Sequence, residues 1–439
     1  MPGIFIQITR IFLPILTALF TFFCFYGTFR HKSKRTRIYT SRYQLFVIYA
    51  VLSLAFLSMF SETEEMVYLW VYLGTLALVT AISLVFRLIY RNASAMLTNV
   101  VCFLLSIGLI MQTRIQSDKA VKSLLIAAAA LLVTAFFPYI LNKDRAVFRK
   151  LKWTYFAVGI LLLAVVLVAG QTSFGARLSV SVFGISLQPS EFVKLLYVFF
   201  LAAMYQTAGS KKQILIASLC AAGTVLLLVG SRDLGGALIF FVIYVVMTYC
   251  AFSAWQIPLI SAVFLILAFP VAGRVFSHVA VRIAAWMDPL SVIDDAGYQV
   301  SQSLFAIGTG SWLGSGLTRG RPDIIPVVVQ DFIFSAVVEE MGVFVGICLI
   351  LICFCCLFLF LNLALEMKDR FYRYVAIGLG TAYGVQVFLT IGGCIKLIPS
   401  TGVTLPFVSY GGSSLLASFM SFAILQGLYV WSKKKGGFR

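Results

Sequence analysis

Nine of this chain's sixteen acidic residues fall between Glu191 and Glu340. Carboxylates and cations can move a proton or hold an anion. Inside an apolar run they are costly enough to need a partner or a role. Gln188-Pro189-Ser190-Glu191, followed by Lys194, reads as a helix start, with Pro in the first turn and Glu at the electropositive end. Glu191 and Lys194 share a helix face, as an internal ion pair or as a polar site at a membrane surface. Ser231-Arg232-Asp233-Leu234-Gly235-Gly236 opens another helix, with Asp233 as N-cap or site residue. Asp331-Phe332-Ile333-Phe334 leads into Glu339-Glu340-Met341-Gly342, where adjacent acids within an apolar run call for cations such as Lys194 or Lys396. The tract from Pro399 to Ser414, containing Thr401, Pro406, Ser409, Tyr410 and Ser413, holds two prolines and three glycines. A continuous helix is excluded there, and irregular backbone at membrane depth implies a cavity lining.

The elements that must position these groups are membrane helices. The chain is 61% hydrophobic and 11% charged, a composition whose solvent is the bilayer. Its apolar runs are too long and too little alternating for strands. The expectation is all-α: a polytopic membrane helix bundle of about 13 transmembrane helices with a large extracytoplasmic loop. The spans run near 4–29, 43–60, 67–89, 95–113, 120–140, 153–170, 189–206, 213–229, 234–252, 256–275, 331–362, 372–395 and 404–431. The first ends in His31-Lys32-Ser33-Lys34-Arg35 and so reads as a span rather than a cleaved signal. The basic connectors 30–42, 141–152, 207–212 and 363–373 and the tail Lys433-Lys434-Lys435 all fall on one side, which is then cytoplasmic. That puts the N-terminus outside and the C-terminus inside. It also puts the acidic connector of Glu62, Glu64 and Glu65, and the long loop 276–330, on the outer side. The net charge of +18 is absorbed by this asymmetry, and no basic patch is interleaved with aromatics, so nucleic acid is not an expected partner. Nine cysteines and two histidines offer no metal-site spacing. Residues 1–93 hold three spans poor in polar groups, and 94–439 hold the other ten.

Taken in order, these motifs resemble the SEDS family, the cell-shape, elongation, division and sporulation proteins of the FtsW, RodA and SpoVE type. The resemblance covers about 94–439 and includes Gly297-Tyr298-Gln299 with the glycines that follow it. It implies a ten-helix core preceded by three additional helices, in a bacterial cytoplasmic membrane. It implies a peptidoglycan glycosyltransferase that polymerises lipid II, an undecaprenyl-diphosphate-linked disaccharide peptide, beside a class B penicillin-binding protein. Its catalytic residue is an aspartate of the outer loop. Val292 occupies the usual position, six residues before Tyr298, and Asp294 and Asp295 lie two and three positions further on. Asp294 is the expected base, with Asp295 in reserve. Arg282 and Asp288-Pro289 match the start of the same stretch, and Arg177 matches an arginine ahead of the Pro-Ser-Glu motif.

Glycosyl transfer from a sugar diphospholipid needs a base for the attacking hydroxyl and donors for the departing diphosphate. Lys194, Arg282, Arg177 and Lys396 are candidate donors. Attack opposite the leaving group inverts the anomeric centre. Gln188, Ser190, Glu191, Asp233, Gln299, Asp331, Glu339, Glu340, Thr401, Ser409, Tyr410 and Ser413 complete the expected substrate-binding set. These residues point to no particular cofactor, and a divalent cation, Mg or Mn, stays open. A flippase for the same lipid-linked sugar would need the polar cavity but no loop base. A non-catalytic scaffold of the cell-wall machinery would need neither acidic cluster.

Overall fold

The computed structural model describes residues 2–29, 34–143, 145–173, 176–182, 185–207 and 211–434. Of the basic connectors, Arg30, His31, Lys32 and Lys435 lie outside the described residues, as does the side chain of Arg177. Among the described residues, twelve helices are long and apolar enough to cross a membrane. A thirteenth apolar helix, Pro189–Tyr205, has 17 residues, about 26 Å at 1.5 Å per residue, just short of a bilayer core about 30 Å thick. The molecule is an all-α polytopic membrane protein.

Two spans differ from the expected ones. The run expected at 331–362 is broken at Gly342 into Ile333–Met341 and Val343–Glu366. Gly342 sits at φ +95°, and a Cβ there would lie 2.4 Å from the Trp312 carbonyl. The last helix begins at Gly412 rather than 404, because the tract with Pro399, Pro406 and Gly402 stays irregular. The connector before Gln188 adds a small antiparallel sheet of Gln171–Ser173, Ala176–Val182 and Ile185–Leu187. The alternation Leu178-Ser179-Val180-Ser181-Val182 is its sequence signature.

The chain forms two compact units. The first comprises Met1–Ala135, Asp288–Leu359 and Val387–Gly411. Its post is the helix Ala95–Ile115, started by Ser94, whose Oγ accepts from Leu97 N, and buried without interruption from Leu97 to Thr113. Phe20 stacks on Phe103 with ring centroids 4.1 Å apart, so the N-terminal helix packs directly on that post. The second unit comprises Phe136–Met287, Phe360–Gln386 and Gly412–Arg439. Its centre is Pro189–Tyr205, whose Tyr197 packs on Phe240 and whose Phe200 packs on Phe156. Exposed Leu132, Ile260 and Ile266 fit a lipid-facing surface.

Candidate active site

In the second unit, two helix starts interlock. Asp233 caps Leu234–Phe252, its Oδ1 accepting from Gly236 N at 2.8 Å, while Ser190 Oγ donates to Asp233 Oδ2 at 3.3 Å. A Cβ at 236 would stand 2.6 Å from that carboxylate, so a larger residue there would push the cap aside. Burial pushes the Asp233 carboxyl up, against the pull of the Gly236 N–H. Gln188 precedes the Pro189 helix, and its N–H donates to Ser413 Oγ at 2.9 Å. One turn along, Lys194 Nζ donates to Glu191 Oε2 at 2.9 Å and to Gln386 Oε1 at 2.7 Å. Lys194 and Glu191 are both nearly buried, at 6% and 12% side-chain exposure. The internal ion pair thus exists, whereas Gln188 makes no side-chain cap to its helix and the Ser190 hydroxyl goes to Asp233 instead. Gln386 was not among the expected residues; a lone amide in the apolar helix Arg370–Cys394 was its only signal.

Arg282 lies in the surface helix Ser277–Met287. Burial, then the charges of Arg282 and Arg232, push His278 on the same helix down. This end of the unit is electropositive, a property that suits an anionic group.

In the first unit, Asp294 and Asp295 are exposed. They sit on a tight turn: Gly297 N donates to the Val292 carbonyl at 2.8 Å and Ser301 Oγ to the Pro289 carbonyl at 3.1 Å. Gln299 follows in the helix Tyr298–Gly310. Asp331 borders a small cleft with Thr390, Gly393 and Ser400 through Val403. Thr401 Oγ1 is buried there without a partner. Lys396 takes a left-handed conformation just after the helix Arg370–Cys394. The tract beyond it is fixed to the post: Gln112 Nε2 donates to the Val408 carbonyl at 2.9 Å, and Gly108 lets that backbone lie against the helix. Ser409 Oγ donates to the Gln330 carbonyl and accepts from Leu405 N, while Tyr410 N donates to the Val329 carbonyl at 2.7 Å.

The acidic pair is satisfied differently from expectation. Its cation is Arg114, whose Nε donates to Glu340 Oε1 at 3.0 Å and whose Nη2 donates to the Gly320 carbonyl at 3.2 Å. Lys194 pairs with Glu191 instead. Glu339 Oε1 accepts from Arg321 N at 2.8 Å, and its Oε2 is buried without a partner. Burial pushes Glu340 up to about 7, and a single Nε–Oε1 contact with Arg114 does not offset it. Burial raises Glu339 likewise. Between Glu340's ordinary value of 4.5 and about 7, the folded chain holds a proton that the unfolded chain has released. Stability therefore falls as pH rises through that window and levels above it. The unfolding midpoint of the detergent-solubilised protein is expected to drop from about pH 5 to about pH 7, and Glu340→Gln to flatten the drop. An unchanged slope in the variant would remove Glu340 as its source. Among the described residues no three His, Cys, Asp or Glu side chains converge as a metal cage.

The family model of cell cycle proteins of the FtsW, RodA and SpoVE type matches residues 87–434. The chain belongs to this family. The peptidoglycan glycosyltransferase RodA of Mycobacterium tuberculosis is 32% identical over 321 residues, covering 68% of this chain and 67% of that protein. The stage V sporulation protein E of Bacillus subtilis is 31% identical over 372 residues, covering 77% and 97%. A solved chain described under structural coordination of polymerization and crosslinking by a peptidoglycan synthase complex superposes with a TM-score of 0.65 at 25% identity. That match covers 77% of this chain and 98% of the other. The family match runs from residue 87, at the end of the third helix, to residue 434, and the helices before residue 87 stand ahead of it.

Proposed function

We propose that this chain is a peptidoglycan glycosyltransferase that polymerises lipid II. The observation that carries the reading is the RodA relative of that name, 32% identical across two thirds of both chains. In the reaction an acceptor sugar hydroxyl attacks the anomeric carbon of the donor. A C–O bond forms, the bond to the diphosphate breaks, and its electron pair leaves with the diphosphate. Asp294 takes the hydroxyl proton, with Asp295 in reserve, and the anomeric centre inverts. Lys194 and Arg282 are the leading donors to the diphosphate, as charge-assisted contacts. Residues 94–439 form the catalytic core, and 1–93 are an accessory module. A class B penicillin-binding protein is the proposed partner, supported by the synthase complex in which a structural relative occurs. Purified protein given labelled lipid II, with and without a transpeptidase, is expected to make glycan polymer. Transport without polymer would favour a flippase, and neither would favour a scaffold.

The proposed orientation places the loop 276–330 outside and the connector 141–152 inside. A side chain at 310 would press on the Val338 carbonyl, so exposed Ser291 and Lys150 are the better probes. In a background lacking the exposed Cys250, Ser291→Cys is expected to react with an impermeant maleimide in intact cells. Lys150→Cys is expected to react only after permeabilisation. The opposite pattern would invert the topology.

A further inference from the structure

The helix that starts at Met66 does not finish as an α-helix. Its last turn, Val85–Ile89, is a π turn, an insertion of one residue that recurs at functional sites. Leu84, Leu88 and Ile89 are left exposed toward lipid, while Arg87 turns to a polar network. Its Nη2 donates to Ser41 Oγ at 3.0 Å and to Asn99 Oδ1 at 3.2 Å. The acceptors are themselves fixed: fully buried Asn99 donates from Nδ2 to the Ser41 carbonyl at 2.8 Å and to Gln44 Oε1 at 3.1 Å.

Every member of that network except Arg87 is neutral. The sequence has no Asp or Glu before Glu62 and none from 66 to 117. Among the described residues no ion pair joins Arg87, Arg42 or Arg91 to a carboxylate. The charged group that Arg87 faces is another cation, Arg42. The Arg87 Nε is buried and unpartnered, and among the described residues both side-chain hydrogen bonds of its guanidinium come from Nη2, on one side of the fork. A guanidinium held this way by buried neutral groups is a costly charge unless an anion meets its open side.

The geometry points to a binding site for an anionic phospholipid, its headgroup phosphate accepting from Arg87 Nη1. Exposed Arg42 and Arg91 flank the phosphate electrostatically. The acyl chains lie along Leu84, Leu88 and Ile89. These exposed apolar side chains select a lipid over free phosphate. The buried Asn99–Ser41–Gln44 network keeps the guanidinium fork aimed. The site joins the second and third helices to the start of Ala95–Ile115 and is independent of the glycosyltransferase reading.

Two measurements test it. Full-length protein in neutral detergent is titrated with short-chain phosphatidylglycerol, phosphatidylcholine or inorganic phosphate, following the unfolding midpoint. Phosphatidylglycerol is expected to half-saturate the unaltered protein at about a tenth of the concentration that Arg87→Gln needs, the loss of one charge-assisted contact. Phosphatidylcholine and inorganic phosphate are expected to give no shift that depends on Arg87. Equal phosphatidylglycerol titrations in the two proteins, or an equal response to inorganic phosphate, overturn the lipid site. The second arm uses the unaltered protein, so it stands even if Arg87→Gln does not fold. A photoactivatable phosphatidylglycerol is expected to crosslink within residues 37–46 and 84–99, and a crosslink map that omits both segments overturns the proposal.

Discussion

Asp294→Asn is expected to lower lipid II polymerisation by roughly 100- to 10,000-fold, the range that a general base supplies, with normal expression and substrate binding. Asp294 is exposed on a turn whose hydrogen bonds run between Gly297 and Val292 and between Ser301 and Pro289. Removing its charge leaves no buried group uncompensated, so folding should change little. Asparagine keeps the size and hydrogen-bonding capacity of the side chain but cannot accept the proton. Asp288 is a weaker candidate, because its carboxylate accepts from Ser291 N at 3.3 Å and shapes the turn. Asp294 is preferred to Asp295 because it lies one residue nearer to Val292, the position where the family resemblance places the base. Polymer yield from purified variants decides the matter. Near-normal yield from Asp294→Asn with loss in Asp295→Asn moves the role by one residue. Near-normal yield in both single variants and the double variant removes a loop base altogether, leaving transport or scaffolding ahead.

The bundle was legible because a membrane span is a long, one-dimensional signal. Runs such as 234–252 and 256–275 coincide with Leu234–Phe252 and Gln256–Val275. The helix start at Pro189 was legible from the proline in its first turn, and that at Leu234 from its Asp233 cap. The break at Gly342 was not, because hydrophobicity continues through it and its cause is tertiary. Val343 N donates to the Ser311 carbonyl, and Gly316 N to that of Glu340. The partner of Glu340 was hidden for a related reason: Arg114 lies 226 residues away in sequence. No helical or strand spacing links residues so far apart, and lysines nearer the other motifs looked equally eligible. Gln386 shows the complementary gap. A neutral amide raises no charge alarm, yet it holds Lys194 as closely as Glu191 does.

Lys194→Ala is the second large expected effect, and the structure makes it a double question. Nζ sits 2.9 Å from Glu191 and 2.7 Å from Gln386, in a side chain 6% exposed. Truncation would strand a nearly buried Glu191 carboxylate without its cation, a loss of about 3–5 kcal/mol for a buried pair. Low polymer yield from this variant alone could therefore report lost protein or lost chemistry. Replacing both partners, as Lys194→Met with Glu191→Gln, removes the stranded charge while keeping volume, a change that often leaves stability level. An ammonium carries three donors, and two are spent on Glu191 and Gln386. The third is the one that the proposed function assigns to the diphosphate. The double variant is thus expected to recover its unfolding midpoint and membrane yield while lipid II turnover stays at least tenfold down, the scale of one charge-assisted contact. Should the double variant fold and polymerise normally, Lys194 is a structural cation only, and the diphosphate must be held by Arg282 or by other cations.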